Sequence, residues 1–257
     1  MDFTFNKDLI TGYHGATQIA RVLTEDWVAR NMYCPICGAP VLTQYEANRP
    51  VADFCCHKCN SDFELKSKER RSSGIGDLIA DGEYSKMIGR ITSLNNPNFL
   101  FLTHSNYSVN NLILIPNHFF IPEIIEQRKP LSPTARRAGW VGCNIRLTSV
   151  PSFGKIYVVK DSKEIDHQKV HDAYMKSYML KTDNLQGRGW LLDILHCVEM
   201  LGADFTLREM YSFVPFLKQR HPENNNIEAK IRQQLQVLRD RGFVDFIAPG
   251  HYKLSKI

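Results

Sequence analysis

The chain lacks any apolar run long enough to cross a bilayer. Its longest such runs, NFLFLT and NLILIP, are strand-sized. Its first ten residues, MDFTFNKDLI, are acidic and mixed, without the basic and apolar regions of a secretory leader. These absences set the expectation of a cytoplasmic protein with no membrane partner. An internal repeat and a low-complexity tract are also missing, which argues against solenoids and disordered arrays. Acid is missing locally. From Gln127 to Lys160 there is no Asp or Glu, while Arg128, Lys129, Arg136, Arg137, Arg146, Lys155 and Lys160 all fall there. The net charge of +5 is mild, so this segment stands out against a mixed chain. It is either a phosphate-binding surface or a solvated loop with chance charge.

What is present is ordinary in bulk. At 257 residues, 43% hydrophobic and 23% charged, the chain suits one large soluble domain or two smaller ones. Seven cysteines in a reducing compartment favour metal binding over disulfides. Cys34-Pro-Ile-Cys37 and Cys56-His-Lys-Cys59 are two CxxC pairs separated by a zinc-ribbon spacing. Cys55 makes the register ambiguous and His57 could replace a sulfur. Cys56 keeps the two-residue gap and is the choice here. Four thiolates close the coordination shell, so a zinc ion there is expected to be structural. Cys143 and Cys197 read as small core residues.

The second pair sits inside another pattern. Asp53, then Glu64-Leu65-Lys66, is Asp-x10-Glu-x-Lys. On a strand, Glu64 and Lys66 share a face, and pairing of VADF with FELK brings Asp53 beside them. The carboxylates of Asp53 and Glu64 with the Leu65 carbonyl suit Mg²⁺, which takes hard oxygen ligands. Such an ion polarises a phosphate oxygen and acidifies a water, and Lys66 can orient that water or help deprotonate it. Surface strands also carry Glu-x-Lys as a plain solvated pair, so the spacing alone is a weak signal.

Periodicity organises the rest. Helical stripes are predicted near 16–30, 83–94 and 164–181. Strands are predicted at VADFC, DFELK, 98–104, 109–116 and 155–159, with SSGIG as a loop. This mixture predicts an α/β (α+β) domain over 1–182. The polar LKTDNLQGRG marks a boundary, and 183–257 forms the second domain. There, helices over 190–201, after Thr206 (capping box with Glu209) and over 224–241, ending at Gly242, precede a hairpin at Pro249-Gly250. Three helices then a hairpin is the winged-helix order.

The set ARVLTEDWV, YCPICG, NRPVADF with FELKSK, NNPNF, QRKPL-PTARRAGW-GCNI and KIRQQLQVLRD resembles the DpnI family of methyl-directed restriction endonucleases, over nearly the whole chain. The resemblance implies a PD-(D/E)xK nuclease domain with bound zinc, then a winged helix. It implies Mg²⁺-dependent cutting of double-stranded DNA at GATC carrying N6-methyladenine. It puts the catalytic triad on Asp53, Glu64 and Lys66 and the zinc ligands on Cys34, Cys37, Cys56 and Cys59. Pro50 lies three residues before Asp53, a departure from the wider motif that leaves the carboxylate chemistry intact.

On the third C-terminal helix, Asn225, Asn226, Lys230, Gln233 and Gln234 are candidates to face DNA, since Asn and Gln can pair with adenine in the major groove. In the first domain the candidates are Arg136, Arg137 and Trp140, with ordinary core packing as the competing reading for the tryptophan. Two other classes remain open: a non-enzymatic zinc-ribbon and winged-helix DNA-binding regulator, and a repair or junction nuclease. The expected assembly is a monomer, which would cut the two strands in two steps or rearrange.

Overall fold

A computed structural model describes residues 1–46, 52–70, 72, 74–93, 96–182 and 184–255. Pro50, Val51, Ser73 and Asp183 therefore lie outside the described residues. The chain divides into two compact units. The first holds Met1–Thr148 and Phe153–Tyr178, the second Ser149–Ser152 and Met179–Ile257.

The first unit opens with α1 (Ala16–Asn31), then β1 (Thr43–Gln44), β2 (Phe54–Cys56), β3 (Ser61–Glu69), β4 (Leu78–Glu83), α2 (Tyr84–Thr92), β5 (Asn98–Ser105) and β6 (Ser108–Ile115). It closes with β7 (Ile125–Gln127), β8 (Gly142–Arg146), β9 (Ile156–Lys160), β10 (Lys163–Glu164) and α3 (His167–Tyr178). A seven-stranded sheet runs β1-β2-β3-β5-β6-β9-β10, with only β3 and β5 parallel. The apolar run NFLFLTH becomes β5, buried on both faces near the middle of the sheet. Asn106 and Tyr107 both take positive φ, the conformation of a two-residue hairpin turn, and return the chain as β6.

Alternation along β2 and β3 separates two faces. Phe54, Cys56, Phe63 and Leu65 join Leu23, Trp27 and Val28 of α1 and Val170 and Tyr174 of α3 in one core. The intervening residues face away from that core. A separate three-stranded sheet, β4-β8-β7, was not foreseen from the sequence. Its strand β4, Leu-Ile-Ala-Asp-Gly-Glu, buries only Ile79, so it carries no apolar alternation to read.

The second unit comprises α4 (Leu185–Leu201), β11 (Asp204–Thr206), α5 (Leu207–Tyr211), α6 (Val214–Arg220), α7 (Ile227–Asp240), β12 (Val244–Ala248) and β13 (His251–Leu254). Two sequence expectations change. The second half of the glycine-bearing stretch read as linker, from Leu185, is helix, because Asn184 caps it by accepting from the Gly187 N–H at 3.1 Å. The second helix is two helices, with Pro215 in the first turn of α6. The Thr206–Glu209 capping box is present in both directions. Gly242, at φ +73°, follows the end of α7. Strands β11-β13-β12 form a three-stranded sheet. Among the described residues, no helix is long and apolar enough to cross a membrane.

Candidate nuclease and metal site

The two CxxC turns are built alike. Gly38 N–H donates to the Cys34 carbonyl at 2.9 Å, and Asn60 N–H donates to the Cys56 carbonyl at 2.8 Å. The residue after each second cysteine is left-handed, Gly38 at φ +72° and Asn60 at φ +55°. This curls each turn around its two sulfurs. Cys34 Sγ lies 3.7 Å from Cys59 Sγ, Cys37 Sγ 3.6 Å from Cys56 Sγ, and all four fall within 4.8 Å of one another. A tetrahedral site with zinc–sulfur bonds of about 2.3 Å sets its sulfurs ~3.8 Å apart. The four cysteines can therefore hold zinc without rearrangement. Burial works to raise the Cys56 pKa, but the Cys59 and Lys58 N–H groups reverse this and bring it down to about 7. Burial pushes the Cys34 thiol up. Cys55 lies outside the cluster, 3.9 Å from His57 Nε2, and Cys56 is the sulfur that lies within it. From α3, the His171 ring bonds the Ile36 carbonyl at 2.9 Å and so braces the first turn.

The second turn joins β2 to β3, and the carboxylates lie just beyond it. The register Phe54↔Phe63, continued one step, puts Asp53 opposite Glu64. Asp53 N–H donates to the Phe63 carbonyl at 2.9 Å, and Leu65 N–H donates to Asp53 Oδ2 at 2.7 Å. Asp53, Glu64 and Lys66 thus share the sheet face opposite α1. Leu65 enters through its backbone, while its side chain packs into the core.

Two further residues join this face from outside the hairpin. Lys66 Nζ lies 2.6 Å from Glu64 Oε1 and 2.5 Å from Asp81 Oδ1 on β4. Arg90, on α2, pairs with Glu64 Oε2. Its guanidinium also sits 5.7 Å from the ring centre of Phe99, the Cα partner of Glu64 on β5. Burial works to lower the Lys66 pKa, but Glu64 and then Asp81 outweigh it and hold the ammonium up at about 12. Asp81 Oδ2 and Arg90 Nε are buried and have no hydrogen-bond partner. Sequence reasoning missed both. The only available signal was the presence of Asp81 and Arg90 in a helix-strand stretch next to the hairpin in the chain.

The basic loop is exposed at Arg136 and Arg137. Trp140 is half-buried, with the Arg137 guanidinium 4.6 Å from its ring centre and its indole N–H buried without a partner. A methyl group on Gly142 would lie 2.8 Å from the Trp140 ring, so that ring lies directly on the glycine. The helix expected from Asn224 begins at Ile227, so Asn225 and Asn226 lie just before α7, with Asn226 at its N-cap; both are exposed, as is Gln233 on α7, and Lys230 is half-buried. Lys230 Nζ donates to Gln233 Oε1 at 2.8 Å, and Asn225 Oδ1 accepts from Lys218 at 3.0 Å. Gln234 is a correction. It is 6% exposed and turns inward with Ile227, Ile231 and Leu238, because seven residues after 227 the helix returns to the same face.

Two family models cover the chain. Residues 1–183 match DpnI, the Dam-replacing family, and residues 186–254 match DpnI_C, the Dam-replacing HTH domain. The sulfur cluster and the carboxylate–lysine face lie in the first region, and α7 lies in the second. The chain belongs to the Dam-replacing family.

Proposed function

We propose that this chain is a methylation-dependent type II restriction endonuclease. Its substrate is double-stranded DNA at GATC sites carrying N6-methyladenine, and its chemistry is Mg²⁺-assisted phosphodiester hydrolysis on a PD-(D/E)xK site. The observation that carries this reading is the convergence of Asp53, Glu64 and Lys66 on one face of the β2–β3 hairpin. The donor set suits magnesium: Asp53 and Glu64 supply hard carboxylate oxygens.

When bound, the ion supplies polarisation of a phosphate oxygen and a more acidic water. The chain's own groups do the rest. The Leu65 N–H fixes the Asp53 carboxylate. Lys66, held as an ammonium between Glu64 and Asp81, orients the attacking water and offsets charge that builds on the phosphate. The four-cysteine site, with zinc in a structural role, fixes the turn between the two strands that carry these groups. Arg136 and Arg137 meet phosphate or guanine, and Trp140 lies against the methylated base. In the second domain Asn225, Asn226, Lys230 and Gln233 face the major groove.

One digestion tests this. Protein and a Lys66→Ala variant are incubated with Mg²⁺ and a plasmid prepared with and without adenine methylation at GATC. Cutting of the methylated plasmid alone, lost in the variant, is the expected result. Cutting of both plasmids removes the methyl reading. Tight DNA binding with no cutting favours the competing reading, a zinc-stabilised DNA-binding regulator, which the helix-turn-helix domain also suits.

A further inference from the structure

Glu64 is the most heavily engaged carboxylate of the nuclease face. Its residue is 8% exposed, one oxygen is held by Lys66 and the other by Arg90. Glu64 therefore already has two cationic partners before any metal arrives. Lys66 has a second anchor in Asp81, 2.5 Å away. Among the described residues Arg90 has no second carboxylate in its ion pairs, and its Nε is buried without a partner. Of the two cations, Arg90 is the one whose place on Glu64 is exchangeable.

The arrangement around Arg90 fits exchange. Its guanidinium lies by the Phe99 ring, which is 1% exposed and stacked on Phe120 at 4.2 Å. That apolar seat stabilises a cation through the ring face without requiring the carboxylate. Asp81 and Arg90 also belong to one continuous run, since α2 begins where β4 ends. This run grips β3 at Lys66 with its strand and at Glu64 with its helix. The four charges Asp81, Lys66, Glu64 and Arg90 alternate in sign and balance. A carboxylate so neutralised attracts a divalent ion less than a bare one.

We infer that Arg90 is a metal gate: it is the internal counter-ion of Glu64 and must give way before a divalent ion can take the Glu64 oxygen. This rests on the nuclease reading above and deepens it by naming what holds the site back from loading. Arg90 acts through Glu64 and is a positioning residue. Its removal should strengthen metal uptake, whereas a merely structural residue, once lost, would weaken it.

The test uses zinc-loaded, full-length protein without DNA, titrated with Mn²⁺, with the free ion followed by its paramagnetic resonance signal. Arg90→Gln is expected to take up Mn²⁺ about tenfold more tightly than wild type, the scale of one cation removed from beside the ion. Equal or weaker uptake overturns the gate, and so does absence of uptake in both proteins. Glu64→Gln is expected to abolish uptake in either background. If Glu64→Gln leaves uptake unchanged while Arg90→Gln still tightens it, the ion sits elsewhere and the carboxylate assignment fails instead. Should Arg90→Gln not fold, Arg90→Lys serves. Its single ammonium grips Glu64 with fewer donors, so uptake should tighten about threefold, and unchanged uptake again overturns the gate. The Mg²⁺ concentration for half-maximal cleavage should fall in the same variants.

Discussion

At the scale of single residues, neighbours in sequence have opposite fates. Cys55 and Cys56 are adjacent on β2, so their side chains point to opposite faces. Cys56 enters the sulfur cluster and Cys55 does not. Cys56→Ser should lose zinc and unfold at a lower temperature, while Cys55→Ser keeps stoichiometric metal; elemental analysis with a thermal melt separates them. If both variants kept their zinc, the assigned ligand set would be wrong. Gln233 and Gln234 make a similar pair on α7. Gln234→Leu exchanges a buried amide for an apolar group and should leave DNA affinity within about threefold while holding or raising the melting temperature. Gln233→Ala removes an exposed donor and should cost ~1–3 kcal/mol of site-specific binding. Fluorescence anisotropy on one methylated duplex compares the two, and a greater loss from the Gln234 change would return that residue to the DNA face.

At the scale of elements, local spacing made the β2–β3 hairpin, the zinc turns and the Thr206–Glu209 capping box legible, because each depends on residues a few positions apart. The same was true of the placement of Asp53, Glu64 and Lys66 along the hairpin. Asp81 and Arg90 were not legible. They reach Lys66 and Glu64 across the boundary between two sheets and a helix, and no periodicity records such a meeting. Gln234 was legible in principle, since its helical phase matches Ile227 and Ile231, but its polarity masked the position. The small β4-β8-β7 sheet also sets the loop that carries Trp140. Arg128 N–H donates to the Gly142 carbonyl at 2.9 Å, and Leu131 N–H to the Trp140 carbonyl at 2.9 Å, closing the loop at its base. Gly142→Ala would drive a methyl group into the Trp140 ring, an overpacking of ~1–3 kcal/mol. The ring must leave its seat. The expected outcome is a shifted tryptophan emission and a reduced ratio of methylated to unmethylated cutting, with cleavage chemistry retained. An unchanged ratio alongside a shifted emission would separate Trp140 from methyl recognition.

At the scale of the whole molecule, the proposed methyl dependence raises the question of how such a chain would tell a methyl group from its absence. Burying one methyl contributes ~0.8 kcal/mol, roughly fourfold in affinity. A site methylated on both strands therefore yields about fifteenfold from one reading surface, too little for a strict choice. Two surfaces that each sense the methyl groups multiply to about two hundredfold. The family match supplies two domains, one with the Arg136, Arg137 and Trp140 loop and one with α7. Water left unsatisfied in an empty methyl pocket would widen the ratio further. The division of labour can be measured in the full-length protein. Trp140→Ala should lower the discrimination ratio to about fifteenfold and leave the remainder to the second domain. A ratio that collapsed to one would place all methyl recognition in the first domain and leave α7 only the surrounding sequence to read. A ratio that did not move would place it all in the second.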